Sequence, residues 1–356
     1  MNFERLLIFR VGHLGDTVIG LPALWAVRRQ LPHARITLLT NIDRKNPAYI
    51  SPADVLPQTG LVDEYIAYPT NTGLLSRSGA FLRLAIALRK ERFDAALYLM
   101  PRARTDRQLS RDRAFFRLAG TPRVLGIDFL EKHRLDYPIT FPTPRVDRES
   151  DFLLSLVHDA GFPPDAIETN LLLEDSETSA ADRWLADSIG GTLPDKLIAV
   201  GIGAKWEFKR WSEEKYQNVI SDLVQRKGCY PIIFGGPEDR KAGDRLIDTW
   251  GAGANACGEL SIRESAALLG KCKLYLGNDT GTMHLAAAVG LPCVALFSSM
   301  DYVDRWLPIG ADHRIFRTVD RCEGCLEMGS DSQHTCMDSI RSEDVNAACV
   351  EIIDKL

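Results

Sequence analysis

With 356 residues, 45% of them hydrophobic and 26% charged, the chain has the composition of an ordinary globular protein and the length of two domains rather than one core. A net charge of −5 excludes a dominant nucleic-acid footprint while leaving room for local basic patches. No segment offers the ~20 apolar residues of a membrane span, and the first residues, MNFERLLIFRVGHLGD, lack a cleavage pattern, so a cytoplasmic location is expected.

In chain order, residues 6–9 form a short apolar run and the loop RVGHLGD follows. Residues 17–30 then show helical spacing at Val18, Leu21, Leu24 and Trp25, and residues 35–39 supply a second strand. Gly12 and Gly15 permit a tight turn, and Asp16 stands at the helix start, where a carboxylate faces the mouth of a sheet. The plainer reading of Asp16 is a helix cap. The glycine spacing is not G-x-G-x-x-G, and the second strand closes on Leu39, Thr40 and Asn41 without an acid, which disfavours a dinucleotide oxidoreductase.

The alternation continues with strands at 64–67, 93–100 and 123–127 and a helix at 79–90. Ahead of the last strand lies PRARTDRQLSRDRAFFRLAGTPR, in which Arg102, Arg104, Arg107, Arg111, Arg113, Arg117 and Arg123 face only Asp106 and Asp112. Forked guanidinium contacts from such a cluster suit an anionic substrate, although a solvated helix face is the commoner explanation. A proline-containing loop at 137–145, a helix at 148–160 and a bridge at 161–175 complete the first half.

The second half repeats the strand–loop–helix order. Strand 197–200 leads into GIGAKWEFKRW and a helix opened by Ser212, Glu213 and Glu214; strand 230–234 leads into GGPEDR and another helix; Ser261 caps a helix ending near Gly270. The stretch LYLGNDTGTMHLAAAVGLPCVALF, 274–297, then reads as strand, turn, helix, turn, strand. Asp279 occupies the expected N-cap position, the amides of Thr280, Gly281 and Thr282 are left for an anion, Gly281 admits close approach, and His284 follows one turn later. From Ser342, the residues Val345, Cys349, Ile352, Ile353 and Leu356 mark an amphipathic helix.

Two parallel, doubly wound sheets are therefore expected, with ligands at the carboxyl ends of the strands in a cleft between the domains. Lys205 or Lys209 offers charge for phosphate, Glu238 an acceptor for ribose hydroxyls, and the 280–282 amides donors for phosphate oxygens. A nucleoside diphosphate is the natural joint ligand, with Asp16 as a base facing it.

At this point RVGHLGDTVIGLPAL, KRWSEEKY, GGPEDR and GNDTGTMHLAAAVGLP, taken together over about 6–340, resemble glycosyltransferase family 9, the bacterial ADP-heptose:lipopolysaccharide heptosyltransferases. The resemblance implies a GT-B fold, with an acceptor-binding domain at 1–172, a donor-binding domain at 173–340 and a helix at 341–356 packing on one of them. It places Asp16 on the catalytic base of an inverting, metal-independent displacement and Lys209 on the donor diphosphate. Glu238 falls on the nucleoside ribose and Asp279, Thr280, Gly281 and His284 on the donor-binding turn; Gly203 and Thr282 are expected as further donor contacts. Arg102, Arg104 and Arg107 then suit an anionic lipopolysaccharide core acceptor, and the same basic stretch suits peripheral contact with the inner membrane.

The chain departs from the family pattern at Arg10 and Gly12, where a lysine and a serine or threonine are usual, so acceptor-side contacts are expected to differ. Cysteines 322 and 325 form CEGC, with Cys336 and Cys349 further on. Such thiols can hold zinc or iron, but the spacing is irregular and Cys349 belongs to the apolar helix face, so reduced thiols and no cofactor are expected, as for the core cysteines 229, 257, 272 and 293. The alternatives are a different sugar or acceptor, an epimerase acting on the donor alone, and a non-catalytic binding subunit.

Overall fold

Short apolar runs punctuated by glycine loops build two parallel sheets. The computed structural model describes residues 3–42, 49–57, 60–69, 74–136, 139, 143–318 and 335–355. Contacts divide the chain into one unit of Met1–Ile139 with Asp147–Leu171 and another of Thr140–Val146 with Leu172–Leu356.

In the first unit the strands are β1 (Arg5–Phe9), β2 (Arg35–Thr40), β3 (Glu64–Ala67), β4 (Ala95–Tyr98) and β5 (Val124–Leu125), in the order β3-β2-β1-β4-β5, with every pairing parallel. Leu6, Leu7, Ile8 and Phe9 are wholly buried, as a central strand covered by helices on both faces requires. The helical segment after β1 is two helices, Leu14–Ile19 and Leu21–Gln30, because Gly20 and Pro22 interrupt it. Gly20 also makes room for the Arg10 guanidinium, whose Nε would lie 2.8 Å from a Cβ placed there.

In the second unit β6 (Leu197–Gly201), β7 (Tyr230–Ile233), β8 (Ala254–Asn255), β9 (Tyr275–Asn278), β10 (Cys293–Phe297) and β11 (Arg314–Arg317) form an all-parallel sheet ordered β11-β10-β9-β6-β7-β8. Helix Glu213–Lys227 begins at Ser212, whose hydroxyl accepts from the Lys215 amide, and helix Ile262–Leu269 begins at Ser261 in the same way. Helix Ser342–Ile353 lays Val345, Ala348, Cys349, Ile352 and Ile353 on the core shared with Tyr216, Val219 and Leu223.

Cys229, Cys257, Cys272, Cys293 and Cys349 are buried free thiols, Cys336 is likewise buried, and burial pushes Cys257 and Cys272 up to about 12. Cys322 and Cys325 lie outside the described residues, among which no group of three or more His, Cys, Asp or Glu side chains is arranged to hold a metal ion. Among the same residues no helix is long and apolar enough to cross a membrane.

Candidate active site

Because β7, β6 and β9 are neighbours in a parallel sheet, the loops that follow them emerge at one edge of the second unit. Helix Gly281–Ala288 starts there, with Thr280 in an extended N-cap conformation that makes no side-chain cap bond. Asp279 was expected to cap this helix. Its carboxylate instead receives the Lys209 ammonium at 2.6 Å, while His284 Nε2 stands 3.9 Å from its other oxygen. The first amides of the helix have no intrahelical acceptor and point the positive end of its dipole at the same edge.

Of the two lysines in the loop after β6, only Lys209 joins this group. It sits at the end of a short 3-10 turn, Glu207–Lys209, held by its amide to the Trp206 carbonyl at 3.0 Å. Lys205 is exposed, 5.8 Å above the Trp206 ring. Glu238 is exposed at the end of the β7 loop, its carboxylate folded over Gly236, where a Cβ would stand 2.3 Å from Oε2. Thr282 and Gly281 are partly exposed, and His284 is buried.

Two residues of this edge escaped the sequence reading. Asp239 is buried with its carboxylate against Gly203 and Gly235, and Arg210 Nη2 is 3.6 Å away. Burial, helped by Glu238, raises its pKa, and Arg210 only partly opposes this. Asn278 is the other, with no exposed surface, and its amide bonds to both ends of the loop after β6. A polar residue two positions after Leu276 on the core-facing side of a strand was the available signal.

In the first unit Asp16 occupies the third position of helix Leu14–Ile19 rather than its cap. Its carboxylate accepts the His13 amide at 2.9 Å and packs so near Gly12 that a Cβ there would meet its Cβ at 2.3 Å. Arg10 is 1% exposed and lies behind Asp16; its Nε donates to the Asp16 carbonyl at 3.0 Å and its Nη1 to the Leu99 carbonyl at 2.9 Å. Desolvation lowers the Arg10 pKa, with the charges of Asp16 and Glu149 pulling it back up. Arg10 is thus a support of the Asp16 turn from inside the fold.

The arginine cluster divides. Arg102, expected at an anionic acceptor, is 5% exposed, with Nε 3.2 Å from the wholly buried Glu149 and its guanidinium 4.8 Å from the Phe152 ring centroid. Arg104 reaches Asp112 Oδ2 at 2.5 Å beside the Tyr98 hydroxyl, which donates to the same carboxylate at 2.6 Å. Arg107 is exposed on helix Asp106–Leu118. Arg104, Thr105, Gln108 and Arg134 line a concavity of about 420 Å³ at the start of that helix.

Two all-parallel sheets between helices, one of them gathering a lysine and a helix start at its carboxyl edge, are the paired α/β domains of the GT-B fold. Solved structures share this fold: a family 9 glycosyltransferase from Veillonella parvula superposes with a TM-score of 0.75 at 21% identity, covering 100% of this chain and 99% of that one. An Escherichia coli heptosyltransferase solved with ADP-2-deoxy-2-fluoro heptose gives 0.65 at 15% identity, covering 98% and 99%. In sequence, lipopolysaccharide heptosyltransferase 2 of Escherichia coli K12 is 24% identical over 335 residues, 88% of each chain. The family model described as glycosyltransferase family 9 (heptosyltransferase) matches residues 114–335, and the chain belongs to that family.

Proposed function

We propose that the protein transfers heptose from ADP-heptose to an anionic lipopolysaccharide inner-core acceptor, inverting the anomeric centre and needing no divalent metal. The observation that carries this reading is the meeting of Lys209 and Asp279 beside the start of helix Gly281–Ala288. A diphosphate there shares the lysine with Asp279 and takes hydrogen bonds from the amides of Gly281 and Thr282, with Thr280 and His284 flanking it. Glu238 is assigned to the ribose hydroxyls, and Gly203 to the close approach of the nucleotide to the β6 loop. The name of the 24%-identical relative supports heptose as the sugar.

In the reaction Asp16 takes the proton of the acceptor hydroxyl as its oxygen attacks the sugar C1. The bond from C1 to the diphosphate oxygen breaks, and ADP departs with its growing charge borne by Lys209 and the helix amides. Arg104 and Arg107 supply guanidinium contacts to acceptor carboxylates or phosphates, while Arg102 holds the backbone beneath them through Glu149. Exposed Arg107 is the proposed contact with an anionic membrane face.

The decisive experiment incubates the protein with ADP-heptose and a lipopolysaccharide core acceptor, with and without chelator, and follows the product anomer by NMR. Inverted product in chelator is expected. Turnover of donor without acceptor would favour an epimerase instead, and preferential thermal stabilisation by UDP or GDP over ADP would overturn the choice of donor.

A further inference from the structure

Asn278 ends β9 immediately before Asp279, on the strand face that also carries Leu274 and Leu276 into the core. Packing alone would place another aliphatic residue there. Its amide instead spends both donors and both acceptor positions inside the protein. Nδ2 donates to the carbonyls of Ile202 at 2.9 Å and Gly203 at 3.2 Å, and Oδ1 accepts from the Trp211 amide at 3.1 Å and the Tyr216 hydroxyl at 3.1 Å.

Ile202 and Gly203 open the loop after β6, and Trp211 closes it. One side chain therefore pins both ends of the segment that carries Lys209, and does so from the residue adjoining Lys209's partner. We propose that Asn278 is a positioning residue of the donor site, holding the loop 202–211 in the one conformation that brings Lys209 to Asp279. The proposal rests on the donor reading given above. Without the pins the loop regains backbone freedom, which nucleotide binding must then remove again, so the loss falls on affinity.

The test compares Asn278→Leu, which removes all four bonds, with Asn278→Asp, which keeps the shape but turns an oxygen toward the Ile202 and Gly203 carbonyls. Val345→Ala, in the C-terminal helix of the same core, controls for general destabilisation. Two readouts are taken on folded protein: hydrogen–deuterium exchange of amides 202–211, and ADP affinity by calorimetry. Both Asn278 variants are expected to exchange faster in that loop and to bind ADP at least about tenfold more weakly, with the donor KM raised, while Val345→Ala matches wild type in both. If either folded Asn278 variant keeps wild-type loop protection and ADP affinity, the inference is overturned. A wild-type protein that binds no nucleoside diphosphate would instead overturn the donor reading, and the exchange data would still judge the pinning.

Discussion

Gly203 and Asp239 are packed so closely that a Cβ on the glycine would stand 2.0 Å from the carboxylate Oδ2. The first belongs to the loop after β6 and the second to the loop after β7, so this contact sets the spacing between two of the three loops at the proposed donor edge. Gly203→Ala should therefore push the loops apart. Overpacking typically costs ~1–3 kcal/mol, and a loss of unfolding free energy of that size, read as a lower urea midpoint, is expected together with weaker ADP binding. An unchanged midpoint and affinity would mean that the loops yield without consequence.

Asp239 itself makes a pH prediction. Its pKa is raised in the folded protein, first by burial and then by Glu238. The folded state thus holds the proton more tightly than the unfolded chain, and stability falls as pH rises from the ordinary carboxylate value of ~3.9 through the raised folded value. Above that window the ionised, desolvated carboxylate weakens the fold at every pH. Asp239→Asn should raise the melting temperature at neutral pH and flatten the decline through the window. A variant that melts lower than wild type at pH 7 would show that Arg210 more than compensates the buried charge.

For Asp16 the expected signature is kinetic. A general base typically contributes ~10²- to 10⁴-fold in rate, so Asp16→Asn should lose turnover on that scale while ADP affinity stays at the wild-type value. Gly12→Ala should imitate part of the loss by displacing the Asp16 side chain against which it packs. Wild-type transfer by Asp16→Asn would reduce the residue to a helix-stabilising acid.

Lys209→Ala should do the reverse of Asp16→Asn. Its ammonium meets Asp279 at 2.6 Å, and its loss leaves the Asp279 carboxylate without that cation at the proposed diphosphate position. Donor affinity should fall by tenfold or more, on the order of 1.4 kcal/mol, as calorimetry would register. Unaltered ADP binding would remove Lys209 from the donor site.

Much of this architecture was readable because its signals are local. Apolar runs such as Leu6–Phe9 and the glycine loops behind them mark strand ends whichever fold they join, and Ser212 and Ser261 announce their helices within four residues. The connections that fix the site are not local. Asn278 reaches Ile202 across 76 positions, and nothing in the neighbourhood of either residue reports the other. Asp279 read as a helix cap because its partner, Lys209, lies 70 positions away. Gly20, read as part of one long helix, is where that helix breaks.

The arginine stretch misled for the same reason, and this yields the final prediction. In sequence it is one basic run; in the fold Glu149, 47 positions from Arg102, turns one end of it into core. Glu149 has no exposed surface, accepts the Arg102 amide at 2.9 Å and faces Arg102 Nε at 3.2 Å, while Arg102 stacks over Phe152. Removing one partner of a buried ion pair strands the other charge, at a cost of ~3–5 kcal/mol. Glu149→Gln should therefore lower the denaturation midpoint strongly. Arg107→Ala, on an exposed helix position, should change stability by no more than ~0.5 kcal/mol and instead raise the acceptor KM with the donor KM unaltered. If Arg107→Ala left acceptor kinetics untouched, the exposed half of the run would be a solvated helix face, and the acceptor's charge would have to be met elsewhere.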